Sequence, residues 1–248
     1  MNQSTGLRRR TAQFVGGLIA AAVWMTPQWA AAETLTISGT GGDLGAMQMV
    51  GDAFQALHPD IEVQVLPSLG SVGGIRAVVA GAINFSISGR VPTDEELANG
   101  LSTVAYATTA LAFVAALDGD HDSLTTEDLI DIYSGTMLTW QDGEAIRLVL
   151  RPETDTDTIL IKNKIPELAE SLAAAAARRG VQIETSDQHA ADRLEHMPEG
   201  LGFVSLSLVI SENRALKVLE LDGVLPSTET IENGTYPLVK TFHFVSRQ

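Results

Sequence analysis

The strongest constraint in this sequence is a unit that occurs twice in its first third: a short apolar strand, a glycine-rich loop, then a helical apolar period. Leu35 to Ile37 reads as the first strand and Ser38-Gly39-Thr40-Gly41-Gly42 as its loop. Met47, Val50, Phe54 and Leu57 follow at three- and four-residue steps, which predicts a helix that Pro59 ends. Ile61-Glu62-Val63-Gln64-Val65 then alternates as a half-buried strand, and Gly70-Ser71-Val72-Gly73-Gly74 opens a second helix reaching about Ala80. A third strand, Ile83 to Ser88, runs into Gly89-Arg90 and the capping-box pattern Thr93-x-x-Glu96.

The alternation continues. Val104 to Leu117 is apolar or small throughout, as suits a central buried strand that crosses between lobes, and Asp118 to Asp122 is a polar boundary. Thr125-x-x-Asp128 caps a helix to about Tyr133, which Gly135 stops. Ile146 to Leu150 is the next strand, ending at Arg151-Pro152, and Pro166 to Arg179 is an alanine-rich helix with Gly180 behind it. Ser186 caps a short helix to His196, and Gly202 to Val209 reads as a buried strand carrying the chain back. Strand following helix in this way predicts an α/β class with mostly parallel sheets and ligands at the carboxyl ends of strands.

The amino terminus is of another kind. Arg8, Arg9 and Arg10 precede an apolar run from Phe14 to Trp24 and then Ala30-Ala31-Ala32, the order of a secretory signal cleaved near Ala32. The run is broken by Gly16, Gly17 and Pro27, and a spanning helix needs about 20 apolar residues, so export is expected and anchoring is not. Arg9-Arg10 leaves open whether the route is the general or the twin-arginine one. Removing three arginines and no acids takes the formal charge from −15 to about −18, which excludes a basic nucleic-acid face. With no cysteine, disulfides, thiolate metal sites and a lipid-bearing cysteine are excluded too.

Strand-to-helix loops aim backbone N–H groups and positive helix ends at one crevice, a generic anion site. The two glycine-rich loops add hydroxyls and close backbone approach, while Arg90 and Arg151 offer charge. Each signal has a plainer reading: a tight turn for either loop, and surface pairs with Asp94, Glu95, Glu153 or Asp155 for the arginines. Tyr133 and Trp140 read as core markers. His189 and His196, with Asp155, Asp157 and Asp187, match no familiar metal-ligand spacing, and no Gly-x-Ser-x-Gly elbow surrounds Ser71, so neither a metal, a cofactor nor catalysis is expected.

Together these stretches resemble a known family. Gly70 to Ile75, Asn84 to Ser88, Asp94 to Leu97, Ile132-Tyr133-Ser134-Gly135 with Trp140, Gly200 to Val204, Asp222 to Ser227 and Gly234 to Leu238 are similar to corresponding runs in phosphate-binding proteins of ABC transporters. The resemblance implies a type II periplasmic binding protein: two α/β lobes with a ligand cleft between them, closing over phosphate or a related oxyanion for delivery to an inner-membrane permease. It divides the chain into a signal peptide (1–32), lobe one (33–115 plus 206–248) and lobe two (116–205). Its implied ligand contacts are Gly39, Thr40, Gly41, Ser71, Ser88, Arg90, Arg151, Asp155, Thr156 and Asp157. It also implies helices beyond the last strand, so some of Val239, Phe242, Phe244 and Val245 are expected to be exposed or covered by a partner.

Two departures bear on the ligand. The family's acidic ligand residue falls on or beside Gly89, and its serine-glycine-threonine phosphate loop falls on Asp155-Thr156-Asp157. An anion about 4 Å from a carboxylate is opposed by about 4 kcal/mol at an effective dielectric near 20, whereas micromolar binding supplies only about 8 kcal/mol. Two aspartates facing the anion therefore nearly cancel it. That leaves three cases: they turn to solvent, a proton intervenes, or the ligand is not phosphate. A sensing or partner-binding module with a degenerate site is the alternative to transport.

Overall fold

The computed structural model describes Met1 and residues 33–248 apart from 118 and 120; the expected signal segment lies outside the described residues. The chain runs β1 (Glu33–Gly39), a 3-10 turn (Gly41–Asp43), α1 (Leu44–Leu57), β2 (Ile61–Val65), α2 (Gly70–Val79), β3 (Phe85–Ser88) and α3 (Asp94–Leu97). The long strand β4 (Leu101–Ala116) leads to β5 (Ser123–Leu124), α4 (Thr126–Ser134), β6 (Arg147–Leu150), α5 (Thr156–Lys164) and α6 (Leu168–Ala177). There follow β7 (Gln182–Ile183), α7 (Asp187–Glu195), β8 (Gly200–Ser205), α8 (Leu206–Ser211), β9 (Leu216–Val218), β10 (Glu220–Leu221), α9 (Thr228–Glu232) and β11 (Val239–Arg247).

Local chemistry sets many of these boundaries. Thr93 and Glu96 form a reciprocal capping box at α3, and Thr125 and Asp128 form another at α4. Gly135 closes α4 in the left-handed conformation (φ 89°), and Ser186 accepts the His189 N–H at the start of α7. Among the described residues no helix is long and apolar enough to cross a membrane.

One sheet runs β2-β1-β3-β11-β4-β8-β6-β7, with β9 also on β4. Its two flanks, β2-β1-β3 and β8-β6-β7, are parallel, while β11 and β4 between them are antiparallel to their neighbours. Register explains why the flanks face each other. Along β4, β11 pairs residues 101–110 and β8 pairs 111–115, with Val239 opposite Ala110 and Ser205 opposite Leu111. The carboxyl ends of β1, β3, β6 and β8 therefore all point at the middle of β4, the crevice that an α/β sheet offers a ligand.

The first half carries two small apolar clusters, one around Ile37, Met47 and Phe242 and the other around Ile75, Val78 and Val245. The second half carries the large one, in which Phe113, Tyr133, Trp140, Phe203, Tyr236 and Leu238 meet, so Tyr133 and Trp140 are core residues. Residues 216–238 belong to this second half: β9 pairs with Val114–Ala116, β10 with β5, and Leu219, Leu221, Tyr236 and Leu238 enter its core. After 206 the chain touches the first half through α8, which packs on α1, and pairs with its strands from Val239, where β11 begins. The expected strand Gly202 to Val209 ends at Ser205, and 206–211 is helical. A continuous apolar run fits either state, and packing of α8 on α1 and the 3-10 turn decides it.

The buried face of α1 and the cover of β11 are set by packing. On α1 the buried line is Leu44, Met47 and Gly51, while Val50, Phe54 and Leu57 face outward at 57%, 37% and 78% exposure. Gly51 is the reason, because a Cβ there would sit 2.9 Å from Val63 Cγ1, so the helix seats on β2 through its glycine. In β11, Phe242 and Val245 are fully buried and Val239 and Phe244 half-buried, so that strand is covered within the chain.

Candidate ligand-binding cleft

At the middle of β4 the two halves approach through glycines. A Cβ at Gly41 would meet Gln188 Oε1 at 2.1 Å and Asp187 Cβ at 3.0 Å; one at Gly42 would meet Ser205 Oγ at 2.3 Å and Lys240 Nζ at 3.3 Å. One at Gly89 would lie 3.3 Å from Thr156 Oγ1, 3.7 Å from Lys240 Cε and 3.7 Å from Ser71 Oγ. Residues 39–43, 71, 88–89, 155–157, 187–188, 205 and 240 thus line one closed seam, bridged by the Gln188 Nε2 bond to the Gly41 carbonyl at 2.8 Å. Beside it a surface groove lies between the halves, with Pro67, Ser68, Leu69, Thr185, Ser186 and Gln188 on its walls.

The first half contributes backbone and hydroxyls. Gly39 has φ +136° and its missing Cβ would fall 2.0 Å from the Ile87 carbonyl, so no other residue fits where β1 meets β3. The Thr40 N–H donates to Ile87 O at 2.8 Å, and Ser71 Oγ accepts the Gly89 N–H at 2.9 Å. Ser88 Oγ donates to the Arg90 carbonyl at 2.6 Å and holds the turn after β3.

The second half contributes charge. Arg151, at the end of β6, is 5% exposed; its Nη2 lies 2.8 Å from Asp155 and 3.5 Å from Asp187, while Nε and Nη1 are buried without a partner. Asp155 caps α5 by accepting the Asp157 N–H at 2.9 Å, which uses part of the donor set an anion would want at that helix end. Asp157, buried, pairs with Lys240, which reaches across from β11. Ser205 Oγ is another buried atom with no partner.

These ionised groups do not balance. Arg151 and Lys240 face Asp155, Asp157 and Asp187, and Asp43 stands on the far side of Lys240, bonded by the Tyr106 hydroxyl at 2.7 Å. Burial pushes the Asp157 carboxyl up, aided by Asp187 and Asp155 and only partly opposed by Lys240. Burial acts on Asp187 too, but Arg151 and Lys240 overcome it and hold that carboxyl below its ordinary value. Burial also raises Asp43, while Asp157 and Asp187 keep Lys240 charged against its own desolvation.

Of the residues singled out by sequence, Gly39, Thr40, Gly41, Ser71, Ser88, Arg151, Asp155, Thr156 and Asp157 converge on this seam. Arg90 does not. Its guanidinium is held by Glu96 at 2.7 and 2.8 Å and by the Val91 carbonyl, half-exposed on the α3 side. Sequence reasoning missed Lys240, Ser205 and Asp43, and weighed Asp187 only as a metal ligand. Lys240 had a signal, since alternation along Lys240-Thr241-Phe242 puts the lysine on the register of the buried Phe242.

His189 and His196 do not join Asp155 and Asp157; His196 Nδ1 meets the Asp192 carbonyl at 2.8 Å. Among the described residues one grouping places metal-ligand atoms within 4.8 Å of one another: His121, Asp142 and Glu199, with the His121 ring stacked on Trp140 at 3.8 Å. It lies at the amino end of β8, opposite Ser205, and is no part of the cleft.

Known proteins are similar to this chain in sequence and in fold. It is 23% identical over 215 residues, 84% of its length and 68% of the other's, to the phosphate-binding protein PstS of Bacillus subtilis (strain 168). Among solved structures, a Clostridium perfringens substrate-binding protein of the phosphate ABC-transporter type, with bound phosphate, superposes with a TM-score of 0.73 at 22% identity over 87% of each chain. An ABC-type phosphate transport receptor from Vibrio cholerae gives 0.58 at 22% identity over 86% of this chain and 87% of that one. At such identities these structures speak for the fold. The model of the PBP superfamily domain matches residues 26–248, all of both halves, and the chain belongs to that family.

Proposed function

We propose that this chain is the exported solute-binding component of an ABC transporter and that it captures phosphate or a related oxyanion in the cleft between its halves. The observation that carries the reading is the meeting, at the carboxyl ends of β1, β3, β6 and β8, of two buried cations with unspent donors: Arg151 Nε and Nη1, and the Ser205 hydroxyl. Ser71, Thr156 and the backbone of residues 39–42 and 88–89 add polar groups along the same closed seam. The named activities of the relatives support the same ligand class. Delivery to an inner-membrane permease and location in the periplasm follow from that role and from the order Arg8 to Arg10, apolar run, Ala30 to Ala32. The division into lobes is proposed as residues 33–110 with 239–248, and 111–238.

A second reading rests on the excess of carboxylates over cations in the same cluster. If Asp155, Asp157 and Asp187 leave no room for an anion, the protein is a sensing or partner-binding module on this fold. Calorimetric titration of the mature protein with phosphate, sulfate and molybdate separates the two. Micromolar binding of one of them is expected, and failure to bind any at millimolar concentration would overturn oxyanion capture in favour of the second reading.

A further inference from the structure

On the basis of that oxyanion reading, we infer that the anion enters this cleft together with a proton, which is taken up on Asp157 and frees Lys240 to face the ligand. Charge and space carry the inference. Lys240 Nζ and the Asp157 carboxylate are in contact, each side chain 3% exposed, and the pair joins β11 of the first half to α5 of the second. A Cβ at Gly42 would lie 3.3 Å from Lys240 Nζ and one at Gly89 3.7 Å from Lys240 Cε, so the lysine chain occupies the seam beside Ser71 and Thr156. An oxyanion seated between Ser71, Thr156 and Arg151 must therefore part this ion pair.

Every charged group near Asp157 bears on what happens next. Lys240 approaches it from β11, Asp187 from α7, Asp155 from the cap of its own helix and Arg151 from the end of β6, with Asp43 behind Lys240. With all of them ionised, four carboxylates already outnumber two cations, and an anion deepens the imbalance where water cannot screen it. Two of the carboxylates have cations to keep. Asp155 accepts the Asp157 N–H and holds Arg151, and Asp187 stands against Arg151, whereas the only cation paired with Asp157 is Lys240, which the anion needs, and its other neighbour is the Asp187 carboxylate. A proton from solvent adds to the Asp157 carboxylate, giving a neutral acid that can donate to the ligand; Lys240 keeps its own protons and changes partner. The raised affinity of Asp157 for a proton even without ligand is in keeping with this.

The test is calorimetry of the mature chain with inorganic phosphate between pH 6 and 8.5 in buffers of different ionisation heat, alongside Asp157→Asn. The wild type is expected to take up close to one proton per phosphate more than the variant at pH 8, a comparison in which the ionisation of phosphate itself cancels. Its affinity relative to the variant should fall about tenfold per pH unit above neutrality, as one linked proton requires. Infrared difference spectra of the wild type on phosphate addition should gain a carboxylic-acid band, a readout that needs no variant. Equal proton uptake by both proteins, or no such band, would overturn the inference while leaving oxyanion capture intact. Absence of phosphate, sulfate and molybdate binding in both proteins would overturn the two together.

Discussion

The two walls of the cleft are built on opposite principles. The first-half wall is mostly backbone and hydroxyl: glycines 39, 41, 42 and 89 with Ser71 and Ser88, to which Lys240 reaching out of β11 and the buried Asp43 add charge. The second-half wall is ionic: Arg151 among Asp155, Asp157 and Asp187, on or beside the first turns of α5 and α7. Shape is thus set on one side and charge on the other, and Lys240 is where they meet. A pocket made this way can keep its geometry while its preference for ligand charge is altered by residues of one wall alone.

The hardest blow to this division is Lys240→Met. It leaves Asp157 and Asp187 buried without their shared cation, which costs about 3–5 kcal/mol, and the loss should largely return in the double variant Lys240→Met/Asp157→Leu. Chemical denaturation measures both; a single variant as stable as wild type would remove Lys240 from its place between the walls.

Next in size is the pH dependence of the ligand-free protein. The Asp157 carboxyl is pushed up to about 7 by burial, so the folded state holds a proton that the unfolded chain releases near its ordinary value of 3.8. That stabilisation is full below about pH 4 and is lost as pH rises through 7. Asp187, held below its ordinary value, acts in the other direction and only in acid. The melting temperature should therefore drop between pH 5 and 8 by on the order of 5–10 °C, and much less in Asp157→Asn. Equal slopes in the two proteins would show that the ionic wall does not titrate there.

Ser71→Ala tests the other wall. It removes the acceptor of the Gly89 N–H and should cost about 1–3 kcal/mol in stability, with no change in the pH slope. A changed slope would mean that the two walls are not separable. The smallest effect belongs to Arg90→Gln, which breaks a half-exposed pair with Glu96 worth at most about 1 kcal/mol and should leave oxyanion affinity unaltered. A large loss of affinity would return Arg90 to the cleft.

Legibility in the sequence followed the range of the forces involved. The capping boxes at Thr93 and Thr125 and the stop at Gly135 were readable because donor and acceptor lie within a few residues of each other. The glycine-rich loops were readable as tight strand-to-helix connections for the same reason. The helix α1 was readable but its buried face was not, because Val50, Phe54 and Leu57 share the period and only the seating of Gly51 on Val63 shows which side faces in. The helix at 206–211 was read as strand because an apolar run carries no period of its own.

By itself the sequence determined the α/β class, most of the elements as far as β8, and the two loops and the arginine that reach the seam, since these rest on local periodicity, capping and turn chemistry. Only the tertiary structure decided that residues 216–238 stay with the second half, that Arg90 is spent on Glu96, and that Lys240 meets Asp157, 83 positions away in the chain. The physical reason is that buried charges are organised by whichever partners the register of β4 and β11 brings together, and that register is a property of the whole sheet.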